Sequence, residues 1–86
     1  MYQTIGEENQ GEPISVIGVY TPGHFFPKKI KWREKTLLIN QICSAHDFKD
    51  GGVKKRRFSL MSEGTVYLIE FNRDLETWHL QQIWVE

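Results

Sequence analysis

From Ile14 to Val85 the apolar and polar positions alternate with a period of two rather than 3.6, the signature of β-strands. Ile14, Val16, Gly18 and Tyr20 alternate with Ser15, Ile17 and Val19 up to Thr21-Pro22-Gly23. That triplet signals a turn, because proline fixes φ and glycine accepts a positive φ. A second strand is expected over Lys29–Arg33, with Ile30 and Trp32 on one face and Lys29, Lys31 and Arg33 on the other. After a short turn at Arg33–Lys35, Thr36–His46 reads as one long strand. Leu37 and Ile39 share one face of it, Leu38 and Ile42 the opposite one. A strand apolar on both faces bends around a small core or covers a second layer.

Asp47–Lys55, which contains Asp50-Gly51-Gly52, reads as a loop. Arg56–Ser62 is the fourth strand, with Phe58 and Leu60 inward. Glu63-Gly64 marks a two-residue hairpin turn into the fifth strand, Thr65–Phe71. Asn72-Arg73-Asp74 begins the next turn, and Thr77–Val85 is the last strand. On it Trp78, Leu80 and Trp84 fall on one side, and His79, Gln81 and Ile83 on the other. Nothing supports a helix longer than a single turn near Asp74–Glu76.

The fold class is therefore all-β: an antiparallel meander of about six strands, curled into an SH3-like or split barrel to bury its apolar face and reduce its edges. Trp32, Leu60, Tyr67 or Ile69, and Trp78 are the expected core. Residues 1–13 are polar, with Gly6, Gly11 and Pro13, and read as a flexible N-terminal arm or a weak edge strand. Residues 14–86 form the single domain. The last strand is expected at a sheet edge, which a second copy would cover, so a homodimer is anticipated.

With 86 residues there is room for one core, and three Trp, three Tyr and five Phe supply it with large side chains. The longest apolar run is Val66–Ile69, far short of a bilayer span, so no membrane association is expected. Met1–Pro13 carries three Glu and no basic residue, unlike a secretory signal. A cytoplasmic location follows as the expectation. Cys43 is the single cysteine, which excludes an internal disulfide and a cysteine zinc cluster. It reads as a buried structural thiol.

The formal net charge is zero, but it is unevenly spread. Residues 28–57 hold ten basic and three acidic side chains, a net of +7; elsewhere Arg73 faces eight acids, a net of −7. Either the basic half gathers into one pole or the fold intermixes the two halves.

The block Pro27-Lys28-Lys29-Ile30-Lys31-Trp32, the spacing on through Leu37, Ile39 and Ile42, and the later Arg57-Phe58, Gly64, Tyr67 and Trp78-His79-Leu80 resemble a small bacterial domain of unknown function. That domain occurs alone or at the C-terminus of Y-family DNA-polymerase-like mutagenesis proteins. The resemblance spans roughly residues 14–84 and departs at Arg33-Glu34-Lys35, which lacks a glycine, and around Ala45-His46, where an aromatic is expected. It implies a fold and an association with DNA metabolism, and no catalytic residues.

Chemistry is sparse. His24, His46 and His79 have no ligand spacing among them, and Gly51-Gly52 before Lys54-Lys55 lacks the strand-to-helix context of a phosphate loop. No catalytic residue, metal or cofactor is assigned, and an enzyme is not expected. Two binding readings remain. Lys29, Lys31, Arg33, Lys54, Lys55, Arg56 and Arg57 would hold a DNA or RNA backbone non-specifically, although strand alternation lets at most half of Lys54–Arg57 face one ligand. Alternatively, Phe25, Phe26 and Trp84 would dock a protein partner, with no nucleic acid involved. Phe25 or Phe26 could instead plug the open end of the barrel.

Overall fold

The computed structural model describes residues 1–6 and 10–85. Eight strands run β1 (Tyr2–Thr4), β2 (Glu12–Thr21), β3 (His24–Trp32), β4 (Lys35–Leu38), β5 (Gln41–Asp50), β6 (Val53–Ser62), β7 (Thr65–Asn72) and β8 (Thr77–Trp84). All pairings are antiparallel, in the order β4-β3-β2-β8-β7-β6-β5, with β1 also on β8. The sheet curls into a half-barrel. No helix among the described residues is long and apolar enough to cross a membrane.

The count exceeds six for two reasons. First, Tyr2–Thr4 pairs with Trp84–Gln82 of β8, and β2 already begins at Glu12. Of the stretch 1–13 read as an arm, residues 7–9 lie outside the described residues. Second, the long strand expected over Thr36–His46 is two strands separated by Ile39–Asn40. The Ile39 N–H donates to the Lys28 carbonyl at 2.9 Å, and the Asn40 N–H to the Met61 carbonyl at 2.8 Å. The chain thus crosses from one end of the sheet order to the other; Leu37, Ile39 and Ile42 all pack against the core around that bend, and Leu38 is exposed.

Turn chemistry sets the register. Pro22-Gly23, Gly51-Gly52 and Glu63-Gly64 each make a two-residue hairpin turn. At the remaining two-residue hairpin, Arg33-Glu34, Arg33 itself takes φ 57° without a glycine. The expected loop Asp47–Lys55 is corrected: Asp50 pairs with Val53, so strands continue to the tip. Two successive glycines at φ 59° and 87° supply the tight turn that permits this.

Ile30, Trp32, Phe58, Leu60, Ile69 and Leu80 form the buried core on the concave face. Trp32, Leu60 and Ile69 sit where the alternation puts them. Tyr67 and Trp78 are half-buried and pack against that core. A bulge in β8 between Leu80 and Gln82 breaks the expected single face: Ile69 pairs with Leu80 and Leu68 with Gln82, so Gln81 has no register partner on β7. Beyond it Ile83 packs on the core and Trp84 is exposed. Nor is β8 an edge. It lies between β7 and β2, with β1 extending the β2 side, so the edge argument for a homodimer does not apply to it.

Candidate functional site

The seven basic residues expected to hold a nucleic acid do not come together. Arg33 forks the Glu12 carboxylate, its Nη2 at 3.0 Å and Nε at 3.1 Å. Lys55 pairs with Asp50 at 3.0 Å and Glu70 at 3.1 Å, and Arg57 pairs with Glu70 at 2.9 Å. Arg56 is forked by Asp47, directly opposite on β5. Lys29, Lys31 and Lys54 are exposed, and none makes an ion pair among the described residues.

Alternation divides the basic run. Arg56 shares the concave face with Phe58, while Lys55 and Arg57 lie on the other face around Glu70. Glu70 is buried there between two cations, and the Arg57 guanidinium also covers the Phe48 ring at 4.8 Å. The electrostatics follow these partners. Hydrogen bonds from Arg56 hold the Asp47 carboxyl below its ordinary range. Those from Arg33, then Trp32, do so for Glu12. The Lys55 ammonium is raised, chiefly by Asp50. The two charged halves of the sequence therefore meet at Glu12 and Glu70, which pair with Arg33, Lys55 and Arg57, while most of the lysines of the +7 segment make no ion pair among the described residues.

Phe25, Phe26 and Trp84 also separate. Trp84 meets Tyr2 edge-on, ring centroids 5.0 Å apart, where β1 joins β8. Phe25 turns inward. Its ring lies 4.4 Å from that of Tyr20 and 5.6 Å from that of Trp78, which in turn meets Phe58 and Phe71. Gly18 makes room for it: a Cβ there would fall 2.5 Å from Phe25 Cζ and 2.3 Å from the Phe26 carbonyl oxygen. Phe25 thus occupies the open end of the half-barrel as a wall, leaving clefts of about 330 Å³ and 290 Å³ on either side.

Phe26 faces outward, opposite Val19. In the next row Ile17 pairs with Lys29 and Lys29 with Leu38; in the row after, Ser15 pairs with Lys31 and Lys31 with Thr36. Ile17, Val19, Phe26 and Leu38 are between 40% and 58% exposed, a set of large apolar side chains on the convex face of three adjacent strands. Sequence reading gave this outer face a role through Lys29, Lys31 and Arg33, or alternatively Phe26, but none to Ile17, Val19 or Leu38. The signal was available, since Ile17 and Val19 occupy the positions that alternation sends outward.

Cys43 is exposed at a bulge in β5, not buried. It follows Ile42, which packs against the core, so strand alternation turns the thiol outward. Among the described residues no group of three or more His, Cys, Asp or Glu side chains is placed to hold a metal ion. Comparison with protein families, characterised proteins and solved structures finds no match for this chain.

Proposed function

We propose that this domain is a non-catalytic protein-interaction module that docks an acidic, apolar segment of another protein on the convex face of β2, β3 and β4. The observation that carries this is the exposed set Ile17, Val19, Phe26 and Leu38 with Lys29 and Lys31 set among it. A contiguous apolar patch on a small domain marks a binding surface. Its two lysines select an acidic partner and disfavour a second copy, because symmetric pairing of this face would set lysines against lysines. Three of the four apolar residues are aliphatic, which suits side-chain packing better than base stacking. The resemblance to domains that accompany Y-family polymerase-like proteins is in keeping with an accessory role. A reducing cytoplasm suits the exposed Cys43 thiol.

The test is fluorescence polarisation at two salt concentrations with three labelled probes: a soluble peptide of interspersed Glu, Leu and Phe; a Glu/Ser peptide of equal charge; and a single-stranded oligonucleotide. The first should bind best, and Val19→Ser/Phe26→Ser should weaken it by about tenfold or more. Preferential binding of the oligonucleotide, lost on raising salt and in Lys29→Gln/Lys31→Gln, would instead favour the nucleic-acid reading.

A further inference from the structure

We infer that the gap in the half-barrel is a second docking site, in which an extended polypeptide segment of a partner adds as a strand to β5 and inserts a large apolar side chain beside Phe25. This site lies on the concave side, and its lining shares only Phe26 with the convex set.

Two banks of unpaired backbone face this gap. Among the described residues β5 pairs only with β6, so one edge of a ten-residue strand is open. Across from it, β4 covers only Lys29–Trp32 of β3, which leaves the outer edge of His24–Pro27 open as well. Open edges of this length are usually blunted by lysine, proline or brevity. Over Ser44–Phe48 β5 has neither lysine nor proline, and Ser44, Ala45, His46 and Asp47 are all exposed. The bulge at Cys43 lies N-terminal to that stretch.

Between the banks lies the cleft of about 330 Å³, lined by residues from both, including His24, Phe25 and Phe26 on one side and Ile42 and Ala45 on the other, with Phe58 also in its lining. An added strand would hydrogen-bond to β5 through its backbone and turn alternate side chains into this cleft. The lining admits one large apolar side chain, and the Arg56–Asp47 pair marks its polar rim.

A second copy is a poor occupant. Ala45 and Asp47 face Phe58 and Arg56 on the concave side, so symmetric β5–β5 pairing would offer the cleft only an alanine and a carboxylate. The fitting partner is a foreign segment with an aromatic or branched apolar residue flanked by small polar ones.

The probe is a phage-displayed library of random heptapeptides panned against the full chain, with the enriched peptide then synthesised. It should carry one dominant large apolar position. Its binding should slow hydrogen exchange at the β5 amides that point away from β6. Ala45→Lys sets a charge at the cleft's edge on an exposed position and should weaken binding by about tenfold or more, while Ile17→Ser/Leu38→Ser, on the convex face and outside the cleft's lining, leaves it unchanged. The inference fails if no peptide is enriched, if exchange on β5 is unmoved, if Ile17→Ser/Leu38→Ser rather than Ala45→Lys abolishes binding, or if the chain proves to dimerise through β5. Exchange in the unmodified chain decides the matter even if Ala45→Lys proves unstable.

Discussion

The indole N–H of Trp32 donates to the carboxylate of Glu12, twenty residues earlier in the chain. Trp32 is buried, so its N–H needs a partner inside the fold. Glu12 provides it at the start of β2, and the fork from Arg33 holds the carboxylate in place. This joins the end of β3 to the beginning of β2. Glu12→Ala should lower the melting temperature, because a buried donor is left without an acceptor. Glu12→Gln keeps an acceptor oxygen and should retain most of the stability, and Arg33→Gln should cost the least. Thermal melts of the three variants check that order.

The same carboxylate and Asp47 make the fold sensitive to acid. Both are held below their ordinary values, Glu12 by Arg33 and Trp32, Asp47 chiefly by Arg56. A carboxyl lowered in the fold contributes stability that is fully present above its unfolded pKa, about 4, and is lost as pH falls through the lower folded value. Stability should therefore be level around neutrality in this respect and decline below about pH 4. Glu12→Gln and Asp47→Asn should each flatten that decline in urea titrations across pH. An unchanged acid limb in both would refute the assignment.

The inner surface of this fold is legible in the sequence because period two maps directly onto burial: Ile30, Trp32, Phe58, Leu60, Ile69 and Leu80 are all alternation positions. Legibility ends where an irregularity shifts the count. One bulge residue at Gln81 sends Trp84 outward and Ile83 inward, and another at Cys43 shifts the count so that Ala45, not Ser44, comes opposite Phe58. The basic run misleads for a different reason. Asp47 and Asp50 meet Arg56 and Lys55 across a hairpin that reads as a loop, and Glu70 meets Lys55 and Arg57 from β7, so the pairs emerge only once the strand register is known. Glu12 was hidden likewise, inside a stretch whose composition resembles an arm.

Burial separates two core substitutions that alternation alone would treat alike. Leu60 has no exposed surface, so Leu60→Ala should cost about 2–5 kcal/mol through lost burial and the cavity left behind. Trp78 is half-buried, with its ring shared among Phe25, Phe58 and Phe71 at the mouth of the barrel. Trp78→Ala should fall at the lower end of the aromatic range, about 3 kcal/mol, and loosen Phe25. Urea unfolding measures both, and NMR line widths of the Phe25 ring report the loosening.

Glu70 is the most enclosed acid described, with 7% of its side chain exposed and Lys55 and Arg57 at 3.1 Å and 2.9 Å. Removing one member of a fully enclosed ion pair typically costs about 3–5 kcal/mol, because the remaining charge has no substitute partner. Here the penalty is smaller. The Arg57 side chain is 43% exposed and keeps its contact with Phe48, and Lys55 retains Asp50. Glu70→Ala should therefore cost about 1–3 kcal/mol, the penalty of losing hydrogen bonds to charged groups that can still reach other partners. Glu70→Gln should lose less, since its carbonyl still accepts one of the two donors. If Glu70→Ala unfolds at the same urea concentration as the parent, the convex network is ornamental to stability. In that case Lys55 and Arg57 are free to serve a ligand, and the case for nucleic-acid contact on that face would strengthen.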